Sequence, residues 1–226
     1  MGMNVPAAAC LGGLLLACTP AHAHAHAQSL FDLNAPPAGK QAGGVMVRLR
    51  GIGVLPQNWD SSVSAIGGRV DASNEATPEL DISYFFTDNI AAEVIAATTR
   101  HKVTAIDTAL GRVPVGSIRV LPPTVTLQYH FMPKSRFSPY IGAGLNVTFF
   151  FNDTPARPTV SSVGFDHNVG GAIQAGFDYN IGGRWFLNVD VKQIFLKTTA
   201  RINGGAIVAK TWLNPTVVGA GIGLRF

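Results

Sequence analysis

Thiols are nearly missing from this chain: among its 226 residues only Cys10 and Cys18 are cysteine, both close to the amino terminus. Beyond them neither a disulfide nor thiol chemistry is available. Charge is scarce too. Asp, Glu, Lys and Arg make up 13% and hydrophobic residues 47%, whereas charged residues are about 25% of an average soluble domain. Yet after the signal-like amino terminus no apolar run approaches the roughly 20 residues a membrane-crossing helix needs, which excludes a bundle of such helices. The formal charge of +4 is carried by scattered residues such as Arg48, Arg50, Arg119, Arg184 and Arg225. No basic run interleaved with aromatics occurs, so nucleic acid is not an expected partner. The 25 glycines suit a narrow barrel and its turns, although a soluble β-rich protein would use them as well.

Val5 to Ala21 is weakly hydrophobic around Leu11, Leu14, Leu15 and Leu16, and is followed by Ala21-His22-Ala23-His24-Ala25-His26-Ala27. Small residues at that spacing are what a signal peptidase reads, so residues 1–27 are expected to be an export signal. No Lys or Arg precedes the apolar core, which leaves the amino group as its positive charge or the start codon misplaced. Leu15-Leu16-Ala17-Cys18 also outlines a lipoprotein processing site, an alternative that would put a lipid on Cys18. The alternating histidines could hold a metal loosely, but a cleavage-site spacer is the plainer reading. Residues 28–44 are expected to form a short periplasmic segment and residues 45–226 a barrel.

The segment Asn214–Phe226 supports that barrel. Thr216, Val218, Ala220, Ile222, Leu224 and Phe226 alternate with Val217, Gly219, Gly221, Gly223 and Arg225, so an extended strand would carry one continuous greasy face. In water such a strand is an aggregation hazard unless covered, and a bilayer can cover it. Seven further segments show the same period of two, beginning near Val45, Glu79, Ile90, Thr124, Tyr140, Asn168 and Trp185. In the clearest, Val125, Leu127, Tyr129 and Phe131 oppose Thr124, Thr126, Gln128 and His130.

Connections alternate in length. Those after the second, fourth and sixth strands are tight turns, while the others run to about fifteen to twenty-five residues, longer than ordinary loops. Short periplasmic turns and long extracellular loops are the layout of an outer-membrane barrel. Asn203-Gly204 in the last long connection is a type I′ turn signal, so strands seven and eight are expected to continue as a hairpin beyond the membrane. Tyr84, Phe86, Tyr129, Phe131, Tyr140, Phe177, Tyr179, Trp185 and Phe226 lie beside the short turns or the carboxyl end and are expected to form an interfacial girdle; Phe149, Phe151 and Trp212 could contribute to the other. A soluble eight-stranded barrel would show the same periodicity with its faces exchanged. The export signal, the terminal Phe and the girdle favour the membrane version. The fold class expected is therefore all-β, an eight-stranded antiparallel outer-membrane barrel.

Several stretches resemble the OmpW family of small outer-membrane barrels. They are Asp88-Asn89-Ile90 with Glu93 and Ala96-Ala97-Thr98, Arg100-His101-Lys102, Leu121-Pro122-Pro123-Thr124, Phe137-Ser138-Pro139-Tyr140 through Asn146, and the closing Gly223-Leu224-Arg225-Phe226. The resemblance implies a narrow, rather hydrophobic channel through which small apolar compounds pass, with a sideways exit between strands. It also implies a constriction of one inward Leu and one inward Trp. Ile95 falls at the first of these positions and keeps its character, while Lys192 falls at the second and departs from it. Outer-membrane lipid, small hydrophobic solutes and the barrel-assembly machinery, met through the strand ending in Phe226, are the partners this implies.

An unpaired ammonium inside a lumen is costly, so Lys192 requires a counter-charge. By parity Arg48, Asp81, Glu93 and Asp190 face inward with it, and a polar cluster of Lys192 and Arg48 with at least one acid is expected. Ile95, Phe85 and Ile194 also face inward. No enzyme is expected: His101, His130 and His167 have no accompanying nucleophile motif such as Gly-x-Ser-x-Gly. The chain ends too soon after Gly219-Ala220-Gly221-Ile222-Gly223 for a dinucleotide fingerprint, and no His, Cys or carboxylate spacing suggests a metal site, so no cofactor is expected. Eight strands leave room for side chains or one small ligand, which excludes a wide porin. Two functions stay open, a conduit or cavity for small hydrophobic molecules lined by Ile95, Lys192, Glu93, Arg48, Asp81 and Asp190, and a plugged barrel acting through its loops.

Overall fold

The computed structural model describes residues 32–57 and 60–226; the export-signal and cysteine readings lie outside these residues. In chain order the strands are β1 (Val45–Leu55), β2 (Asp60–Val63), β3 (Arg69–Ala72), β4 (Glu75–Phe85), β5 (Ile90–Ala97), β6 (Thr99–Thr108), β7 (Gly111–Leu121) and β8 (Thr124–His130). They continue with β9 (Phe137–Pro155), β10 (Val163–Phe165), β11 (Asn168–Gly182), β12 (Trp185–Phe195), β13 (Lys197–Ile202), β14 (Ile207–Trp212) and β15 (Thr216–Arg225).

Eight of them close on themselves. Antiparallel pairing runs β1–β4–β5–β8–β9–β11–β12–β15 and back to β1, so no edge strand is left unpaired in the barrel. The outward residues are the greasy set: Leu49, Val94, Val125, Leu127, Leu145, Val169, Ile173 and Val191 are each about half exposed or more. An apolar band of this extent is stable only against hydrocarbon, and the inward residues are accordingly the polar ones.

The long connections are not loops. β6 and β7 form a hairpin that joins β3 on one side and the upper half of β9 on the other, extending one wall of the barrel outward. The chain turns from β5 into β6 at Thr98, so the segment that begins at Ile90 ends at Ala97 and the next strand starts two residues on. β13 and β14 pair as the expected hairpin, with Asn203 at φ 52° and Gly204 at φ 70°; they assemble with β10 and β2 in a four-stranded sheet of their own instead of prolonging the barrel ladder. Above the membrane the outward face meets water and the inward face still needs a core. Val70, Val103, Val115, Ile118, Phe150, Ala200 and Ile202 supply it.

Most aromatics assigned to the lower girdle do face outward, with Tyr84, Phe86, Tyr129, Phe131, Tyr179 and Phe226 exposed; Phe137 belongs with them. Tyr140 does not. It is 1% exposed and points into the lumen, because it precedes Ile141 and so takes the opposite face of β9.

At the periplasmic end, residues 38–44 cross the mouth of the barrel as a strap. Ala38 N donates to Gly183 O (2.8 Å), Lys40 N to Pro133 O (2.7 Å) and Gly43 N to Phe85 O (2.8 Å), one bond to each of the three short turns or their margins. Gly182 lets Leu33, upstream of the strap, come close: its φ is 147°, and a Cβ there would lie 1.9 Å from Leu33 O.

Candidate functional site

The register of the barrel decides which inward side chains meet. Arg48 is level with Asp81 and Gly223, Arg50 with Glu79 and Gly221. Across the lumen, Asn188 is level with Asp178 and Lys192 with Gln174. The glycines of β15 make room for the arginine stems. A Cβ on Gly221 would lie 2.8 Å from Arg50 Cγ, and one on Gly223 2.9 Å from Arg48 Cγ.

The result is a packed ionic network across the lower half of the lumen. Arg48 Nη1 reaches both oxygens of Asp81 (3.0 Å each) and donates to Ser83 Oγ (2.8 Å), while its Nε and Nη2 form a two-pronged bond to Asp178 (3.1 and 3.0 Å). Glu93 Oε2 lies 3.6 Å from the same guanidinium, and Glu93 Oε1 3.4 Å from Lys192 Nζ. Gln128 Nε2 completes Glu93 at 2.6 Å. Arg50 pairs with Glu79, and its Nη1 is 2.8 Å from Asp190 Oδ2 as an ion pair without the alignment of a hydrogen bond. The six residues singled out as channel-lining are thus all inside: Arg48, Asp81, Glu93, Asp190, Lys192 and Ile95 are each buried. Lys192 and Arg48 share Glu93, while Asp190 is held by Arg50, one step higher than Arg48 on β1.

Several members were not anticipated as part of the site, Arg50 and Glu79 among them. Asp178 binds Arg48 from the opposite wall, and Asn188 donates to Asp178 Oδ1 (2.9 Å) and to the Tyr140 hydroxyl (3.0 Å). Their parity marks them as inward, but nothing in the sequence says which inward groups meet across a lumen. Lys40 is another. Its ammonium enters from the strap to within 2.7 Å of Asp178 Oδ2 and His130 Nδ1 and 2.8 Å of Ser138 Oγ, and no strand periodicity marks it. Among the described residues Lys40, Arg48, Arg50 and Lys192 stand against Glu79, Asp81, Glu93, Asp178 and Asp190, all buried. Near-balance of charge is what lets so many ions be removed from water together.

Above this floor the lumen changes character. An apolar cavity of ≈ 70 Å³ is lined by Ile52, Ile95, Ile118, Phe150, Ile194 and Val217, among others, with Glu79 and Lys192 at its base. The three histidines occupy separate settings. His101 is inside β6 at the cavity wall, its Nδ1 2.7 Å from Ser73 O and its Nε2 2.9 Å from Thr99 Oγ1. His130 sits in the lower network, and His167 Nδ1 accepts from Phe150 N (3.1 Å). Among the described residues no three His, Cys, Asp or Glu side chains converge as a metal site.

The model of the OmpW family matches residues 41–226. An uncharacterized outer-membrane protein of Sinorhizobium fredii, y4mB, is 40% identical, covering 96% of this chain and 95% of its own. The dibenzothiophene metabolism operon protein PahQ of Pseudomonas aeruginosa is 32% identical over 71% of this chain and 76% of its own. The crystal structure of the outer membrane protein OprG from Pseudomonas aeruginosa superposes with a TM-score of 0.77 at 28% identity, covering 83% of this chain and 98% of that one. With the closed eight-stranded barrel and its greasy exterior, these matches place the protein in the outer membrane as a member of the OmpW family.

Proposed function

We propose that the barrel receives small hydrophobic molecules from outside into its upper cavity and passes or holds them there. The observation that carries this reading is the change of lining within one lumen: apolar from Ile52, Ile95 and Ile194 upward, ionic from Glu79 and Lys192 downward. A greasy solute gains about 25 cal/mol per Å² of apolar surface removed from water, and only the upper half offers that. That a relative is named for an operon of dibenzothiophene metabolism supports an aromatic, apolar solute. The cavity of ≈ 70 Å³ is smaller than the roughly 150 Å³ that holds benzene in an engineered site, so entry of a ring requires lining side chains to move apart.

The lower network and the Lys40 strap oppose straight passage to the periplasm, so the solute leaves sideways between strands or stays bound. The test is uptake of a small aromatic hydrocarbon by proteoliposomes with and without the protein. Faster uptake with it is expected; equal rates would favour the second reading, a barrel plugged by its ionic floor that works through its outer sheets.

A further inference from the structure

From the outer face of the β6–β7 hairpin we infer a binding site for the phosphate groups of the outer-leaflet glycolipid, lipopolysaccharide. Arg100 and Lys102 flank His101, which faces the cavity, so strand alternation turns both cations outward, where both are exposed. On the neighbouring strand Arg119 is exposed as well, and register sets it directly opposite Arg100, with Ser117 opposite Lys102. Two guanidiniums facing each other across a ladder destabilise the pair. Among the described residues nothing relieves this: the outer sheets show the ion pairs Arg69–Asp107, Arg112–Asp71 and Arg201–Asp166, and no carboxylate lies within 4.0 Å of Arg100, Lys102 or Arg119. Arg100 Nη2 donates to Ser117 Oγ (3.0 Å). An anion between the guanidiniums would turn the repulsion into attraction.

Depth identifies the anion. Arg119 is paired with Phe151 and Leu121 with Phe149, the latter exposed at the upper margin of the apolar band. The cations therefore begin level with Phe151, two residues or about 7 Å of strand beyond Phe149. That is where lipid headgroups lie, and in this leaflet they are phosphorylated sugars. Arginine forks match phosphate oxygens two at a time, and Lys102 adds a point charge beside them. The same triplet thus serves two neighbours, His101 the cavity and its flanking cations the lipid.

The experiment titrates the full chain in detergent micelles with bisphosphorylated lipid A and with the same lipid stripped of its phosphates, reading bound lipid by native mass spectrometry. The phosphorylated form is expected to bind at least ten-fold tighter, and the triple variant R100Q/K102Q/R119Q to lose that preference while R69Q keeps it. Equal binding of the two lipids by the unaltered protein would overturn the assignment, as would a triple variant that keeps the preference or inorganic phosphate that competes as well as the lipid. Should the triple variant fail to fold, R119Q alone decides. Relief of repulsion predicts that it unfolds no earlier than the parent in lipid-free micelles and yet binds lipid A several-fold more weakly; unchanged binding would overturn the site.

Discussion

The lower and upper halves of one lumen are filled by opposite means. Below, the walls are bridged by Arg48, Arg50, Lys40 and Lys192 with five carboxylates; above, they are closed by isoleucine, valine and phenylalanine. The two solutions fail differently when disturbed. Removing one ion from a buried network strands its partners, whereas trimming an apolar wall leaves a space. The lower half therefore acts as a rigid floor, and the upper half can open without exposing a charge.

The largest effect expected from breaking this contrast is at Arg48. Among the described residues it alone touches all three of Asp81, Glu93 and Asp178, so Arg48→Met leaves three acids each short of one partner. A loss of about 3–5 kcal/mol is expected, as for other broken buried pairs, read as an earlier urea midpoint in micelles. The combination R48M/D81L should recover part of that loss; if it unfolds no later than R48M alone, the charges are not what holds the floor.

Next comes the boundary between the halves, where the contrast bears on transport. Ile95→Asp puts a carboxylate at the base of the apolar slot, and its desolvation should lower hydrophobic flux at least several-fold. Lys192→Trp extends the apolar lining downward and should raise flux or tighten retention. Fluxes that respond to neither change would mean that the solute takes another path.

How much of this is legible in residues follows from the same contrast of surroundings. Within the membrane, each strand sorts its side chains between lipid and lumen, so alternation is strong and all eight barrel strands show it. In the outer sheets water replaces lipid and the faces exchange polarity. Val103 and Ala105 turn in while Arg100 and Lys102 turn out, and a search for greasy exteriors passes over β6 and β7. Tyr140 is misassigned to the girdle when nearness to a turn is weighed above parity with Ile141. Inward parity places Arg48, Glu93 and Lys192 in the lumen, but the pairing of Arg48 with Asp178, 130 residues away, depends on closure and register. Lys40 follows from neither rule, since it lies in no strand.

A smaller effect sharpens the role of the strap. Lys40 lends its ammonium to Asp178, which keeps Arg48 when Lys40 is gone. Lys40→Met should therefore lose only about 1–3 kcal/mol, less than R48M. Its clearer signature is local: faster protease nicking of residues 38–44 with the barrel intact. A strap as resistant as the parent's would mean that its backbone bonds suffice.

The smallest effect expected is one of pH, at the outer end of the same strap. Asp88 Oδ1 accepts from Ala42 N (3.0 Å), and Asp88 Oδ2 is 2.7 Å from Lys134 Nζ. The Lys134 ammonium and the Ala42 amide hold Asp88 below the usual carboxylate range. A lowered folded-state value means that the contact contributes in full above the unfolded value of about 3.9 and is lost as pH falls through the lower one. Because both side chains are open to solvent the contribution is slight, and it shows in the strap before the barrel. Nicking of residues 38–44 by an acid-active protease should rise as pH drops below about 4, while Asp88→Asn, which keeps an acceptor for Ala42 but no charge, should flatten that rise. An unaltered acid limb in D88N would assign the sensitivity to a different group of the periplasmic mouth.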